Sequence, residues 1–493
     1  MANRKQPNIL FVFTDQHRLS GVSCYGDTPC RTPNIDALAQ DGIRFETAYT
    51  VCPVCSPVRG TIMTGLYPHA HGICSNVHDL GCSVQEIRDR PELLSRRLQK
   101  AGYRCGYTGK WHLGTDRDKA FGGSNTPSLP RDVGFDGQNF PGHGGGGFTY
   151  PEYRQYLEEN GFTHKVDRSH IASALDRPAG ILTGPVESTV PYFLAEHTIG
   201  MIEEYAGSDE PFFIWHNFWG PHAPYYAPEE FYDMYRNIPL PEWPNFRWES
   251  GNIPGPHTVK RQPGAEKVEW AEWEEIIRHY YAFASLIDSQ IGRVMDCLRR
   301  RGILENTLVI FGADHGETLG SHGGLIDKGW HHFEEIQRIP FIVRPPDGYA
   351  GGARQRGDTA PEWVSNADIF PTICEAAGAE FDSAAVHGTS CLPLLSEPDP
   401  AREEKTFVEF NGVNSLATTM ATVRAGRIKY GMNISQQDEL YDLDTDPYET
   451  QNLINDPGYA DSLRNLRQEL AGWMERTGYP GNALTIIKRN MGL

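Results

Sequence analysis

The chain has 493 residues, enough to bury a large core; its length alone suggests about three domains, but α/β enzymes of this size often keep one extended sheet. Lys plus Arg number 45 against 64 Asp plus Glu, a formal net charge of −19. Such a surface argues against nucleic acid or an anionic membrane as partner, and an anionic substrate has to be drawn in by a local cluster of cations. Ten cysteines in so long a chain do not make a disulfide framework, and no Cys-x-x-Cys pair recurs at zinc-ribbon spacing. The first seven residues run into an apolar strand with no signal-peptide pattern and no later stretch approaches a membrane span, so a cytoplasmic address is expected.

In chain order, Asn8 to Thr14 is a continuous apolar run that reads as a buried parallel strand, ending in Asp15-Gln16-His17-Arg18. The pattern returns at Pro211 to His216, leading into Gly220-Pro221-His222, and at Thr307 to Phe311, leading into Gly312-Ala313-Asp314-His315-Gly316. Ligands gather at the carboxyl ends of such strands, so three that end in polar clusters predict an α/β sheet with one active edge. Helical stretches alternate with them at Pro91 to Ala101, Tyr192 to Tyr205, Trp270 to Arg300 and Ile369 to Ala377. Gly- and Pro-rich insertions near residues 115–190 and 223–265 have the length of loops that build or cover a pocket. Their aromatics, Trp243, Phe246 and Trp248, either stack on a substrate ring or pack the insertion onto the body. From about Cys391 the pattern changes to short alternating stretches, Thr406 to Phe410, Thr418 to Arg424 and Arg427 to Met432, with a turn at Ala425-Gly426. These predict a small antiparallel sheet followed by a terminal helix around Asp461 to Thr477. The division expected is 1–390 for the catalytic part and 391–493 for a C-terminal subdomain.

Between the first strand and the first helices lies Cys55-Ser56-Pro57-Val58-Arg59-Gly60-Thr61-Ile62-Met63-Thr64-Gly65. Ser56 is a good N-cap and Pro57 suits a first turn, so a short helix is expected to open over Arg59 to Met63 with its free N–H groups facing residue 55. A helix N-terminus is an anion site, and Arg59 adds a planar donor beside it. Cys52 and Cys55 also form a Cys-x-x-Cys, which read alone suggests thiol-disulfide chemistry. Oxygen-rich Asp15, Gln16 and Asp314 with the imidazole of His315 suit a hard divalent ion: Ca²⁺ first, Mg²⁺ or Mn²⁺ as alternatives. In Gly109-Lys110-Trp111-His112-Leu113-Gly114, Lys110 and His112 are two apart and would project to one side of an extended segment.

The Cys-x-Pro-x-Arg block followed by Thr64-Gly65 resembles the signature of type I sulfatases, in which the cysteine is oxidised to formylglycine. Gly109 to Gly114, Pro221-His222-Ala223-Pro224, Asp314-His315-Gly316-Glu317, Lys328 and the stretch Glu439 to Glu449 resemble further family blocks, in the family's order, from Pro7 to about Pro457. The resemblance implies an alkaline-phosphatase-like α/β/α sandwich with a large mixed sheet and a smaller C-terminal antiparallel subdomain. It implies hydrolysis of a small sulfate monoester, of carbohydrate or aryl type, by a formylglycine gem-diol at residue 55. Asp15, Gln16, Asp314, His315 and oxidised Cys55 would hold one divalent metal. Arg59, Lys110 and Lys328 would offset charge on the transferred group, His222 would protonate the leaving oxygen, and His112 would take a proton from the second hydroxyl as the aldehyde regenerates. Asn76 and His78 are expected as substrate contacts, and a formylglycine-generating enzyme as a transient partner. Many sulfatases have Asp where Gln16 stands and Asn where His315 stands. Phosphonate monoester and phosphodiester hydrolases of the same superfamily resemble this chain at those two positions, but tend to carry Tyr and Thr in place of Lys110 and His112. A catalytically silent binding relative with Cys55 left as thiol is the rival from another class, and has no reason to keep the whole set of partners. His17, His69, His71, His331, His332 and Arg338 lie near motifs, and supporting duty is their default.

Overall fold

The computed structural model describes residues 6–77, 79, 82, 84–114, 128–142, 145–171, 178–248, 267–349, 352–413, 416–434 and 436–493. Strand β1 (Asn8–Asp15) lies in the middle of an eight-stranded sheet and is buried from Ile9 onward. Across the sheet the order is β8 (Thr359–Ala360), β2 (Ile43–Phe45), β7 (Phe341–Arg344), β6 (Thr307–Ala313), β1, β5 (Phe212–Pro221), β3 (Arg104–Gly109) and β4 (Asp136–Gly137). All run parallel except β7, which pairs antiparallel with both β6 and β2.

Successive side chains of a strand point to opposite faces, and β1 therefore feeds two cores. Ile9, Phe11 and Phe13 pack with Val58 and Ile62 of α1 (Cys55–Thr64), Leu94 and Leu98 of α2 (Leu94–Lys100) and Phe370 and Ile373 of α5 (Ile369–Ala377). Leu10 and Val12 pack with Leu194 and Ile202 of α3 (Val190–Tyr205) and Tyr280 and Leu286 of α4 (Trp270–Arg300). A sheet that is apolar on both faces demands helices on both, which is why its strands read as unbroken apolar runs. The predicted helices over 270–300 and 369–377 are present with those bounds, while the first is shorter, starting at Leu94, and the second longer, starting at Val190.

The three predicted strands run further at their carboxyl ends than expected, to Asp15, Pro221 and Ala313. Ladder pairing carries polar residues into the sheet: Thr14 lies opposite Ala313, Asp15 opposite Pro221 and Gly109 opposite Asn217. A register shift between Phe13 and Asp15 turns the end of β1, and Asp15 accepts the His222 N–H on its carbonyl at 3.0 Å. One edge of the sheet thus collects Asp15, Asp314, Asn217 and His222.

The C-terminal sheet has four antiparallel strands, β9 (Lys405–Val413), β10 (Leu416–Ala425), β11 (Ile428–Asn433) and β12 (Glu439–Asp442), followed by α6 (Ala460–Arg476). A second terminal helix, α7 (Gly481–Met491), was not expected; Pro480-Gly481 reads as a break, and only Ile487 and Met491 of it are buried. Lys429 on β11, fully buried, donates to the His332 carbonyl at 2.6 Å and to Glu334 Oε1 at 3.0 Å, and also pairs with Glu449. Removing one partner of a buried ion pair of this kind costs about 3–5 kcal/mol, so the subdomain is tied firmly to the loop that follows Lys328. No helix among the described residues is long and apolar enough to cross a membrane.

Gly109 ends β3 with φ of +91°, and a Cβ there would meet the Asn217 carbonyl oxygen at 1.7 Å. The chain can turn Lys110 into the site at this point only because residue 109 has no side chain. Gly109→Ala is therefore expected to lower the melting temperature far more than Gly161→Ala, which has φ of +66° but nothing within 4 Å, so that it carries only the left-handed strain of about 1–2 kcal/mol. Equal thermal shifts for the two variants would remove the close-approach argument.

Candidate active site

Cys55 is the first residue of α1 rather than the residue before it. Val54 takes the N-cap position in an extended conformation with no side-chain cap, so Ser56 is not the cap predicted from sequence. The Ser56 hydroxyl instead lies 3.4 Å from Asn76 Oδ1 and accepts from the Val77 N–H at 3.3 Å. Every residue of α1 is buried, and Gly65, left-handed at φ +73°, closes the helix with its N–H on the Thr61 carbonyl at 2.7 Å. The Thr64-Gly65 pair is the physical end of the helix that presents residue 55.

Four side chains from three separate segments converge on the Cys55 sulfur. Lys328 Nζ lies at 3.2 Å, Lys110 Nζ at 3.4 Å, His315 Nε2 at 3.5 Å and Asp15 Oδ1 at 3.7 Å. Asp15 also accepts from Lys110 Nζ at 2.6 Å and from Arg59 Nη2 at 3.2 Å through Oδ2. Burial works against its charge, but Lys110, Lys328, His222 and Arg59 outweigh it and hold the carboxyl well below its usual range. Lys328 likewise loses to burial and gains more from Cys55, Asp327, Asp15 and Asp314, so it stays charged above the ordinary lysine range.

Arg59 is fully buried and both its Nη groups are engaged within the protein: Nη1 with the Lys110 carbonyl at 2.8 Å and Asn217 Oδ1 at 2.6 Å, Nη2 with Asp15. Its guanidinium stands 5.4 Å from the Phe13 ring centre. The arginine is a positioning group that joins α1, β1, β5 and the 110 segment. The planar fork, expected to meet an incoming anion, instead fixes the Asp15 carboxylate and the backbone of Lys110.

Asp314 accepts the N–H groups of Gln16 and His315 on Oδ1, both at 2.8 Å, while its buried Oδ2 has no hydrogen-bond partner. Burial first, and then the neighbouring Asp15, raise its pKa. An orphaned carboxylate oxygen is expensive unless a cation meets it. His315 Nδ1 lies 2.9 Å from the Gly316 carbonyl and must donate to it, which leaves Nε2 as a bare lone pair on the Cys55 side. Burial lowers the pKa of this imidazole, favouring the neutral, ligating form. One ligand atom from each of Asp15, Cys55, Asp314 and His315 lies within 4.8 Å of the others, so these four fit a divalent ion.

Gln16, the fifth ligand expected, has φ of +60°, and both polar atoms of its side chain are engaged. Oε1 accepts from Lys328 Nζ at 2.9 Å, and Nε2 donates to Asp327 Oδ1 at 3.1 Å and to Glu317. Glu317 and Asp327 were not singled out from sequence, although Glu317 closes the Asp-His-Gly-Glu block. Asn217 was missed as well; its signal is a lone amide inside the apolar run of β5. Tyr107, whose hydroxyl donates to the Lys110 carbonyl at 2.6 Å, carries no sequence signal.

His112 is fully buried with φ of +55° and its N–H on the Pro141 carbonyl at 2.8 Å. The segment is therefore not extended there, and strand alternation is not what relates His112 to Lys110. His222 is partly exposed; its Nδ1 donates to the Ala223 carbonyl at 2.6 Å, which leaves Nε2 bare in the neutral ring. Burial, with the charges of Lys328 and Lys110, pushes its pKa down to about 3. Asn76 turns its oxygen to the first turn of α1, 3.5 Å from the Ser56 N–H, a capping role; His78 lies outside the described residues. His17, His69, His71, His332 and Arg338 hold neighbouring backbone or side chains, as supporting residues do. Trp243 donates to the Leu319 carbonyl at 3.0 Å, Trp248 to the Thr450 carbonyl at 3.0 Å, and Phe246 meets Trp270 edge-on at 5.1 Å; these aromatics pack the insertion onto the body. Burial drives the Cys52 thiol well above its ordinary range, the opposite of what a reactive Cys-x-x-Cys needs.

In Asp314→Asn the remaining amide oxygen still receives both backbone N–H groups, and the uncompensated oxygen is gone. The variant is expected to keep its melting temperature within a few degrees while losing about one equivalent of divalent metal per chain, measured by elemental analysis. Unchanged metal content would remove Asp314 from the centre.

Comparison with known proteins places this geometry in a family. Residues 7–379 match the family model described as Sulfatase, and residues 320–476 match that of the N-sulphoglucosamine sulphohydrolase C-terminal region. The uncharacterised sulfatase YidJ of Escherichia coli (strain K12) is 30% identical over 482 residues, covering 97% of this chain and 88% of its own. An N-acetylglucosamine-6-O-sulfatase of Bacteroides thetaiotaomicron is 27% identical over 503 residues, covering 94% of this chain and 86% of its own. The crystal structure of a phosphonate monoester hydrolase of Agrobacterium radiobacter shares the fold with a TM-score of 0.75 at 24% identity, covering 96% of each chain. This chain belongs to the sulfatase family, hydrolases of sulfuric esters within the alkaline phosphatase superfamily.

Proposed function

We propose that the chain hydrolyses a small carbohydrate or aryl sulfate monoester, with residue 55 as nucleophile after its oxidation to formylglycine by a formylglycine-generating enzyme. The observation that carries the reading is the convergence of Lys328, Lys110, His315 and Asp15 within 3.2–3.7 Å of the residue 55 side chain. A divalent ion, Ca²⁺ by the preference of this oxygen-rich set, would be held by Asp15, Asp314, His315 and residue 55, with Gln16 Oε1 at the edge of the group. Once both are in place, the hydrated aldehyde supplies an oxygen nucleophile and the ion neutralises charge that builds on the transferred group.

The chain's own residues do the rest. Lys110 and Lys328 aim two ammonium groups at the position of residue 55, where the sulfuryl oxygens of a bound ester gain charge, and such fixed donors act without reorganising at the moment of reaction. Asp15 holds Lys110 at 2.6 Å, and Arg59 holds Asp15, so this cation is fixed beside the sulfur. His222 stands partly open to solvent with Nε2 bare; it serves as acid to the leaving oxygen once the arriving anion charges it. His112 is assigned to the proton of residue 55 that leaves when the aldehyde is restored. The sugar preference draws support from the relative described as an N-acetylglucosamine-6-O-sulfatase. Phosphonate monoester hydrolysis is the second reading, favoured by Gln16 and His315; Lys110, at 3.4 Å from Cys55, carries our preference for sulfate.

Cys55→Ala is expected to abolish turnover of 4-nitrophenyl sulfate with the melting temperature little changed, and retained turnover would sink the nucleophile assignment. His222→Gln should cost about 10²-fold or more in kcat on an alkyl or sugar sulfate and clearly less on 4-nitrophenyl sulfate, whose leaving group needs little protonation. Equal losses on the two esters would take His222 out of the acid role. A kcat/KM on phenyl phosphonate monoesters above that on every sulfate tried would favour the second reading.

A further inference from the structure

Away from the active site, a second group of metal-type ligands has formed between an insertion and the longest helix. His279 and Glu275 lie one turn apart on the same face of α4, and His170 approaches them from the chain that follows the short strand Val166–Asp167. The three facing atoms form a triangle: His170 Nε2 to His279 Nε2 is 3.0 Å, His279 Nε2 to Glu275 Oε1 is 3.5 Å and His170 Nε2 to Glu275 Oε1 is 3.7 Å. Ligands about 2.0–2.1 Å from a tetrahedral Zn²⁺ stand about 3.3–3.4 Å apart, the average of these three edges. The 3.0 Å edge is of hydrogen-bond length, while the two edges to Glu275 are longer than the usual N–H···O distance.

We propose that His170, Glu275 and His279 form a Zn²⁺ site that clasps the insertion carrying His170 to the middle of α4. Two imidazoles and one carboxylate are the donor set that suits zinc rather than the harder ion of the active site. Glu275 has the supporting contacts that a ligating carboxylate needs. Glu275 Oε1 receives the Tyr232 hydroxyl at 2.6 Å, Oε2 receives Arg278 Nη1 at 3.2 Å, and the Tyr232 ring stacks on His279 with centroids 4.6 Å apart. Arg278, a cation beside the cluster, is already matched by Glu274 at 2.5 Å. His279 is 1% exposed and its Nδ1 has no hydrogen-bond partner, so the polar commitment of the ring falls on Nε2, inside the triangle. The side chains of His170 and Glu275 are 25% and 20% exposed, which leaves water a way in to a fourth position.

The test uses the full chain, stripped with a chelator and dialysed against Zn²⁺ in the presence of a large excess of Ca²⁺ to occupy the active site, with zinc counted by elemental analysis. Wild-type protein is expected to retain about one Zn²⁺ per chain more than either His170→Ala or Glu275→Gln, and to melt a few degrees higher with Zn²⁺ than without it. His170 is partly exposed, and Gln at 275 still accepts from Tyr232, so both variants should fold. Zinc content that neither substitution changes overturns the proposal and leaves the trio a polar cluster without metal.

Discussion

The site depends on one buried anion, the Asp15 carboxylate. It sits at the carboxyl end of the central strand and is met there by Lys110 at 2.6 Å and Arg59 at 3.2 Å on a single oxygen, with the other oxygen 3.7 Å from Cys55. Buried charges survive only when paired and hydrogen-bonded, and neutralising Asp15 would strand two cations in a water-poor interior at a cost of about 3–5 kcal/mol. The same contacts join β1, α1 and the segment after β3, so the charge balance and the relative placement of these elements are one problem with one solution. The edge of the sheet is held together by the groups that make it reactive.

That arrangement also reconciles an acidic protein with an anionic substrate. A net charge of −19 repels sulfate esters at long range, yet Lys110, Lys328 and Arg59 outnumber the carboxylates Asp15 and Asp314 at residue 55, and a divalent ion would add to the excess. Low local dielectric makes each of these charges count for more than one at the surface. The C-terminal sheet contributes through position alone: Lys429 and Arg424 grip Glu334, and with it the loop that carries Lys328 toward the sulfur. The C-terminal sheet thereby sets the placement of one of the centre's cations.

Much of this was legible in the sequence because the fold writes its parallel strands as unbroken apolar runs and its site as the polar residues that end them. Asp15, Asp314 and His222 could be found by that rule, and the helices over 270–300 and 369–377 were read as stretches alternating with the strands. The capping of α1 was misread, since Ser56 has the right chemistry for a cap but the helix starts one residue earlier and its hydroxyl is taken by Asn76. Arg59 could be recognised but its duty could not, because whether a guanidinium faces substrate or carboxylate is decided by Asn217 and Asp15, which lie far along the chain. Tyr107 acts through a contact that no local pattern encodes, and Glu317 stood in the Asp-His-Gly-Glu block without a role of its own. His170 and the Glu275–His279 pair were invisible for the same reason, being brought together only by an insertion folding back on a helix.

The account stands on residue 55 being the reacting group of this cation and metal nest. Fragmentation mass spectrometry of the tryptic peptide from Phe45 to Arg59, on protein purified from its native host, tests that most directly, since the peptide contains both Cys52 and Cys55. The account predicts an aldehyde at residue 55 beside an unmodified Cys52. A plain thiol at residue 55 in protein that still hydrolyses sulfate esters would contradict it.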